Sequence, residues 1–232
     1  MKPVAALFIA VLWASVAQAQ TDHSHGTTHD HNAQFQKADL DVEMWLGRLE
    51  NPDRDVIVHR EAVIAALGLE RGQHIADIGA GTGAYMTDIA RIVGATGRYY
   101  GVDIAPALVG FMRDRAVKAG LENVTLVVSR TDHATLPVQS VDMILVVDTY
   151  HHFDPVKPML ASMFDALKPG GTLVIVDFDR IEGVSRDWVL ERIRADKHTF
   201  RREIEAAGFR FVEEATDTGL AENFFFRFVR PE

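Results

Sequence analysis

The hydrophobic positions change period along the chain, and each change marks an element. Residues 35–50 carry Phe35, Leu40, Val42, Trp45, Leu46 and Leu49 at mixed helical spacing, and Asn51-Pro52 ends the segment. Asp53–Leu67 predicts a second helix with Val56, Ile57, Val63, Ile64 and Leu67 toward a core, closed by Gly68. From there short apolar runs alternate with helical patterns. His74–Ala80, Arg98–Ile104, Val124–Ser129, Val141–Asp148 and Thr172–Phe178 read as strands. Gly83–Val93, Pro106–Ala119, Pro155–Leu167 and Asp187–Ala207 read as helices, and Pro106 suits a first helical turn. Val141–Asp148 is an almost unbroken apolar run, the mark of a parallel strand buried on both faces.

Repeated βα units imply a parallel sheet with helices on both faces. Phe209–Glu214 and Phe224–Val229 are joined by a loop without helical pattern, so they predict a hairpin at one edge. The expected fold class is therefore α/β: a doubly wound, mostly parallel seven-stranded sheet with a C-terminal antiparallel hairpin, Rossmann-like in outline. Alternation in ENFFFRFVRPE puts Phe224, Phe226 and Phe228 on one face, with Phe225 and Arg227 on the other. That is the pattern of a sheet core, not of an aromatic substrate box.

Composition changes this picture in three places. The net charge of −9 offers no electrostatic footprint for DNA or RNA, so a small-molecule or protein partner is expected and nucleic acid is not. Cysteine is absent, which excludes a catalytic thiol and a thiolate zinc site. The opening MKPVAALFIAVLWASVAQAQ has a positive start at Lys2, an apolar stretch too short for a membrane span, and a small-residue cleavage pattern at Ala17-Gln18-Ala19. Residues 1–19 thus read as a signal peptide, with Gln20 the mature N-terminus, a periplasmic location, and no stable membrane span after cleavage; an uncleaved anchor is the alternative. Residues 20–34 read as a disordered, histidine-rich linker. Its His23, His25, His29 and His31 suit zinc, copper or nickel, but nothing there builds a rigid shell, so no fixed metal site is expected. Residues 35–67 read as a helical lid and 68–232 as the main domain.

The chemistry begins at ADIGAGTGAY, residues 76–85. A strand feeds a turn with Gly79, Gly81 and Gly83, then a helix, which brings backbone amides close to a ligand. The next strand ends in Gly101-Val102-Asp103, about 20 residues on, where ribose hydroxyls would be bound. Loop plus acid reads as a nucleoside held through its ribose. These features alone do not separate a nicotinamide dinucleotide from S-adenosylmethionine.

Further motifs do. Asp77 stands two residues before the loop; Asp132-His133-Ala134-Thr135-Leu136-Pro137 follows the third strand; LKPGGTLVIVDF precedes the terminal hairpin. With these, roughly residues 55–230 resemble the class I S-adenosylmethionine-dependent methyltransferases. The resemblance implies S-adenosyl-L-methionine as cofactor and methyl transfer as the activity. It implies that Gly79, Ala80, Gly81 and Gly83 line the methionine and ribose part, that Asp77 orients the methionine end, and that Asp103 accepts from both ribose hydroxyls. It places Ile104 on the adenine face, Asp132 at the adenine amino group with His133 beside it, and Asp148 at the converging strand ends. A nicotinamide reading loses ground because the chain has no Tyr-x-x-x-Lys pair and little length after the sheet for a hydride-acceptor domain.

In the same family the stretch DTYHHF, Asp148–Phe153, faces the transferred methyl group. His151 or His152 is a candidate base, and Tyr150 or Phe153 a candidate for packing against the sulfonium. For each histidine a helix-capping or space-filling role stays open. Trp45, Arg48, Arg54, His59 and Arg60 are candidate lid contacts to an acceptor, or ordinary surface residues. Two functions stand: an exported methyltransferase for a small molecule or protein, and an exported nucleoside- or metal-binding module without catalysis.

Overall fold

The computed structural model describes residues 32–232; the expected signal segment and the linker histidines lie outside them. Among the described residues no helix is long and apolar enough to cross a membrane. Three short helices come first: α1 (Val42–Leu49), α2 (Asp55–Val58) and α3 (Arg60–Leu67). Asp41 starts α1 by accepting from the Met44 backbone N–H at 2.9 Å, so the helix begins later than the apolar spacing suggests. The expected second helix breaks at His59 into α2 and α3, and Gly68 ends it in the left-handed conformation, φ +65°.

The sheet and its helices follow as β1 (His74–Ile78), α4 (Met86–Val93), β2 (Arg98–Asp103), α5 (Pro106–Lys118), β3 (Val124–Val128), β4 (Val141–Val147), α6 (Val156–Ala166) and β5 (Leu167–Phe178). Then come α7 (Asp187–Arg192), α8 (Lys197–Ala206), β6 (Arg210–Glu214) and β7 (Asn223–Val229). Strand order across the sheet is β3-β2-β1-β4-β5-β7-β6. The first five strands run parallel, and β7 pairs antiparallel with both β5 and β6. The seven-stranded, mostly parallel sheet with its C-terminal hairpin is thus as the alternation predicts. The expected single helix over Asp187–Ala207 is two helices, because Asp196 caps α8 afresh by accepting from the Thr199 N–H at 2.7 Å.

Both faces of the sheet are buried. Ala76, Ile78, Ile144, Val146 and Phe224, Phe226 and Phe228 share one core with α6 and α8. Ile75, Tyr99, Leu145, Val174 and Phe225 share the other with α3 and α4, where Met86, Ile89, Ala90 and Val93 recur at helical spacing. The three phenylalanines do line one face, and Phe225 is buried too because α3 and α4 cover its side. Chain order reverses at β1: β2 and β3 lie to one side, β4 to the other. The loops after β1 and β4 therefore part and leave a crevice at their carboxyl ends, where ligands of open α/β sheets bind.

Candidate active site

The loop after β1 turns on three left-handed glycines, Gly79, Gly81 and Gly83, with φ of +75°, +57° and +74°. This is why β1 stops at Ile78, and why α4 starts only at Met86. A Cβ on Gly79 would stand 2.2 Å from Thr149 Cγ2, so only glycine lets this loop meet the turn after β4. Gly83 supports from behind: a Cβ there would meet Met112 at 3.0 Å.

Asp103, at the end of β2, fixes the loop. One carboxylate oxygen accepts from the Gly81 N–H at 2.8 Å, and the other from the Ala105 N–H at 2.8 Å. Burial raises its pKa against the lowering effect of these amides. Asp77, on β1, is 3 % exposed and accepts from the Tyr99 hydroxyl at 2.7 Å. Burial pushes its pKa to about 7; the Tyr99 hydrogen bond opposes this and the Asp103 charge adds to it. A carboxyl held so near neutrality ionises readily when a cation comes beside it.

The crevice holds a cavity walled by Ile104, Leu108, Phe153 and Met159, with Gly79, Gly81 and Asp103 on one side and Ser129 and Thr131 on another. His152 and Thr149 also line it, as do Asn32, Phe35 and Leu49 from the N-terminal segment, where Asn32 donates to the His152 carbonyl at 3.0 Å. An adjoining lobe reaches Asp77, Ala80 and Tyr85, and shares Gly79, Gly81, Asp148 and Thr149. The structure thus brings together Asp77, Gly79, Ala80, Gly81, Asp103, Ile104, Asp148 and His152.

Besides Gly83, which lies behind the loop, four expected residues stand off this cavity. Asp132 faces Arg130 in two hydrogen bonds of 2.8 Å, and His133 is exposed, its Nδ1 accepting from the Thr135 N–H. Tyr150 is fully buried among Phe153 and Phe200, and its hydroxyl donates to Glu203 at 3.0 Å. His151 lies behind His152 with its ring centroid 4.2 Å away, bound through Nδ1 to Asp177 at 2.7 Å. Burial alone would lower the His151 pKa; the Asp177 carboxylate outweighs it, with Asp148 adding, so the net shift is upward. Asp177 also accepts from the backbone N–H of His151 and of Phe178, which pins the turn that carries His152.

Asp148 has φ +47°, a left-handed position that aspartate tolerates better than most residues. Its carboxylate accepts from Arg54 and from Asn223 Nδ2, each at 2.5 Å. Burial raises its pKa, against Arg54, which lowers it. Arg54 is the lid candidate that reaches the centre. Trp45 stacks on Phe35 and lies under Arg48, His59 faces Asp55, and Arg60 faces Asp88. Two lid acids escaped sequence reasoning. Glu50 accepts from the Thr82 hydroxyl at 2.6 Å and pairs with Arg115; Asp55 accepts from the backbone N–H groups of Ala221, Glu222 and Asn223. Asp177 was findable, since an acid closing an apolar strand is the same signal that marks Asp103 and Asp148.

A family model described as "Methyltransferase domain" matches residues 69–221, more than half of the chain. The demethylmenaquinone methyltransferase of Tropheryma whipplei (strain Twist) is 33% identical over 119 residues, which is 51% of this chain and 47% of that protein. The ubiquinone/menaquinone biosynthesis C-methyltransferase UbiE of Enterobacter sp. (strain 638) is 29% identical over 179 residues, 71% of each. The chain spans about half the length of most curated relatives it matches. A solved S-adenosylmethionine-dependent methyltransferase from Aquifex aeolicus superposes with a TM-score of 0.71 at 24% identity, covering 82% of this chain and 98% of that one.

The raised Asp77 pKa carries a signed prediction. Below the unfolded value of 3.8 the carboxyl is neutral in both states, and the fold is not penalised. As pH rises through about 7 the buried group must ionise, and that stability is lost. Urea unfolding of Asp77→Asn should therefore show less loss of stability between pH 4 and 8 than wild type; parallel pH profiles would contradict the assignment.

Proposed function

The chain belongs to the class I S-adenosylmethionine-dependent methyltransferase family, and from that premise we propose that it places the methyl group on a ring carbon of a small hydroxylated aromatic acceptor. One observation carries the reading: the glycine cradle, Asp103 and His152 line a single cavity. Cofactor-holding groups and a group able to take a proton then share one enclosure.

The residues present fit the cofactor. At Gly79 a Cβ would collide with Thr149 and at Gly81 it would press on Leu49 at 3.0 Å, so bare backbone lines this side of the cavity, and the lobe beyond Asp103 is apolar enough for a purine face. Asp103 would hold the ribose hydroxyls, and Ile104, Leu108 and Met159 would pack on the adenine, with Ser129 and Thr131 near its edge. Asp77 would hold the methionine ammonium. When bound, S-adenosylmethionine supplies a methyl group already activated on a positive sulfur.

What supports carbon as the acceptor atom is the likeness to quinone-pathway C-methyltransferases. A ring carbon is a poor nucleophile until a neighbouring hydroxyl gives up its proton. His152 would take that proton. The ring carbon so activated would be the nucleophile toward the methyl group that the bound cofactor would supply, and the ring proton it then gives up would restore the aromatic system. The His151–Asp177 pair would hold the turn, and Asn32, Phe35 and Leu49 would keep water out.

With 1,4-naphthohydroquinone as probe and methyl-labelled cofactor, the expected product carries the label on the ring carbon. His152→Gln should lower kcat by about 10²- to 10⁴-fold, the usual share of a general base, with cofactor affinity unchanged. Label on oxygen, or none in the product, would contradict the reading. We also propose that the mature chain is periplasmic, on the strength of the residue pattern of 1–19. Fractionation should recover a chain beginning at Gln20 from the periplasm; a cytoplasmic chain beginning at Met1 would refute export.

A further inference from the structure

Leu49, Gly79, Gly81, Asp148 and Thr149 line both lobes of the cavity. A cofactor with its adenine against Ile104 and its methionine end at Asp77 would have to cross there, so its methyl carbon would emerge beside them. An acceptor must reach that place along wall that the cofactor leaves uncovered. In the larger lobe this is the wall of Asn32, Phe35, His152 and Phe153.

These four are not equally available. Phe153 is buried and packs its ring on Tyr150 at 5.4 Å. Asn32 is buried too, and its Nδ2 is committed to the His152 carbonyl. Phe35 is half-buried, and its neighbours hold it in place. Its ring packs on Trp45 at 4.6 Å, and Arg48 covers Trp45 at 5.3 Å. Trp45 and Arg48 line neither lobe, so this stack backs Phe35 and does not fill the cavity. The Phe35 N–H donates to the Asn32 carbonyl at 3.0 Å, which fixes the turn that carries the ring. Phe35 meets His152 at 5.8 Å with the two rings 78° apart. A flat ring laid on Phe35 stands at the same steep angle to His152 and can turn its edge, where a hydroxyl is carried, toward that histidine. The nearby Asp148 carboxylate is already held by Arg54 and Asn223, so a charged acceptor gains little from it.

We propose that Phe35 is the specificity-determining residue of the lid: its ring stacks on a neutral, planar aromatic acceptor and presents the hydroxyl edge of that acceptor to His152. This rests on the methyl-transfer reading above for the identity of the ligand as acceptor. An aromatic pair attracts beyond the area it buries, because ring face and ring edge carry opposite partial charge. Phe35 then selects flat aromatic acceptors over saturated ones of similar size.

The test is binding to the full chain saturated with S-adenosylhomocysteine, which occupies the adenosyl lobe so that a probe cannot take it. The probes are 1-naphthol and its saturated counterpart decahydro-1-naphthol, followed by calorimetry and NMR. Naphthol should shift the ring resonances of Phe35 and His152. It should bind about 2- to 12-fold more tightly than the saturated alcohol, the ratio for one aromatic pair. Phe35→Leu, which keeps an apolar side chain but no π face, should remove that advantage, and Phe35→Tyr should keep it. Equal affinities in wild type, an advantage that survives Phe35→Leu, an advantage lost in Phe35→Tyr, shifts that leave Phe35 unmoved, or no binding at all would each overturn the proposal. Should Phe35→Leu fail to fold, the wild-type shifts and Phe35→Tyr still decide. Since no methyl transfer is read, a failure of carbon methylation leaves this result standing, and a failure here leaves that reading to its own label.

Discussion

A carboxylate caught between two backbone amides organises this crevice. Asp103 cannot leave the position between Gly81 and Ala105 without stranding both N–H groups and its own charge away from water. The loop after β1 is therefore fixed to β2 and to the start of α5. Thr149, pressed on Gly79, fixes the same loop to the turn after β4. Three strand ends are joined across the reversal point of the sheet, and the cavity takes its shape from that junction. An adenosyl ligand needs this rigidity, because a cradle that had to order itself on binding would spend affinity on doing so.

Around the junction the protein buries more charge than a core usually tolerates. Arg54, Asp148, His151 and Asp177 lie within one network, completed by Asn223. Such groups rarely add net stability, since desolvation offsets most of their attraction. Their value here is positional. Arg54 ties the lid to β4, Asp55 ties it to the start of β7, and Glu50 ties it to Thr82 and Arg115. A lid fastened at three points covers part of the cavity, and where it lowers the local polarity each remaining charge acts more strongly.

Much of this was legible in the sequence, and for a local reason. Strand and helix periods, left-handed glycines and acids closing apolar runs are set by short-range sterics, so Gly79, Gly81, Asp77, Asp103 and Asp148 could be placed without coordinates. The geometry departs from expectation where a nearby partner competes. Asp132 sits where an adenine contact was expected, yet Arg130, two residues away, takes its carboxylate, and Ser129 and Thr131 line the cavity instead. Tyr150 sits on a single turn whose direction no period reveals, and it points into the α8 core. Asn223 meets Asp148 across 75 residues of chain, a contact that only the completed sheet creates.

The most direct test is calorimetric titration of S-adenosylmethionine into wild type, Asp103→Asn and Asp103→Ala, with circular dichroism to show that each variant is folded. Two charge-assisted hydrogen bonds to the ribose predict affinity at least about a hundredfold weaker in the alanine variant, with the asparagine variant between the two. Folded variants that bind the cofactor as tightly as wild type would contradict the account.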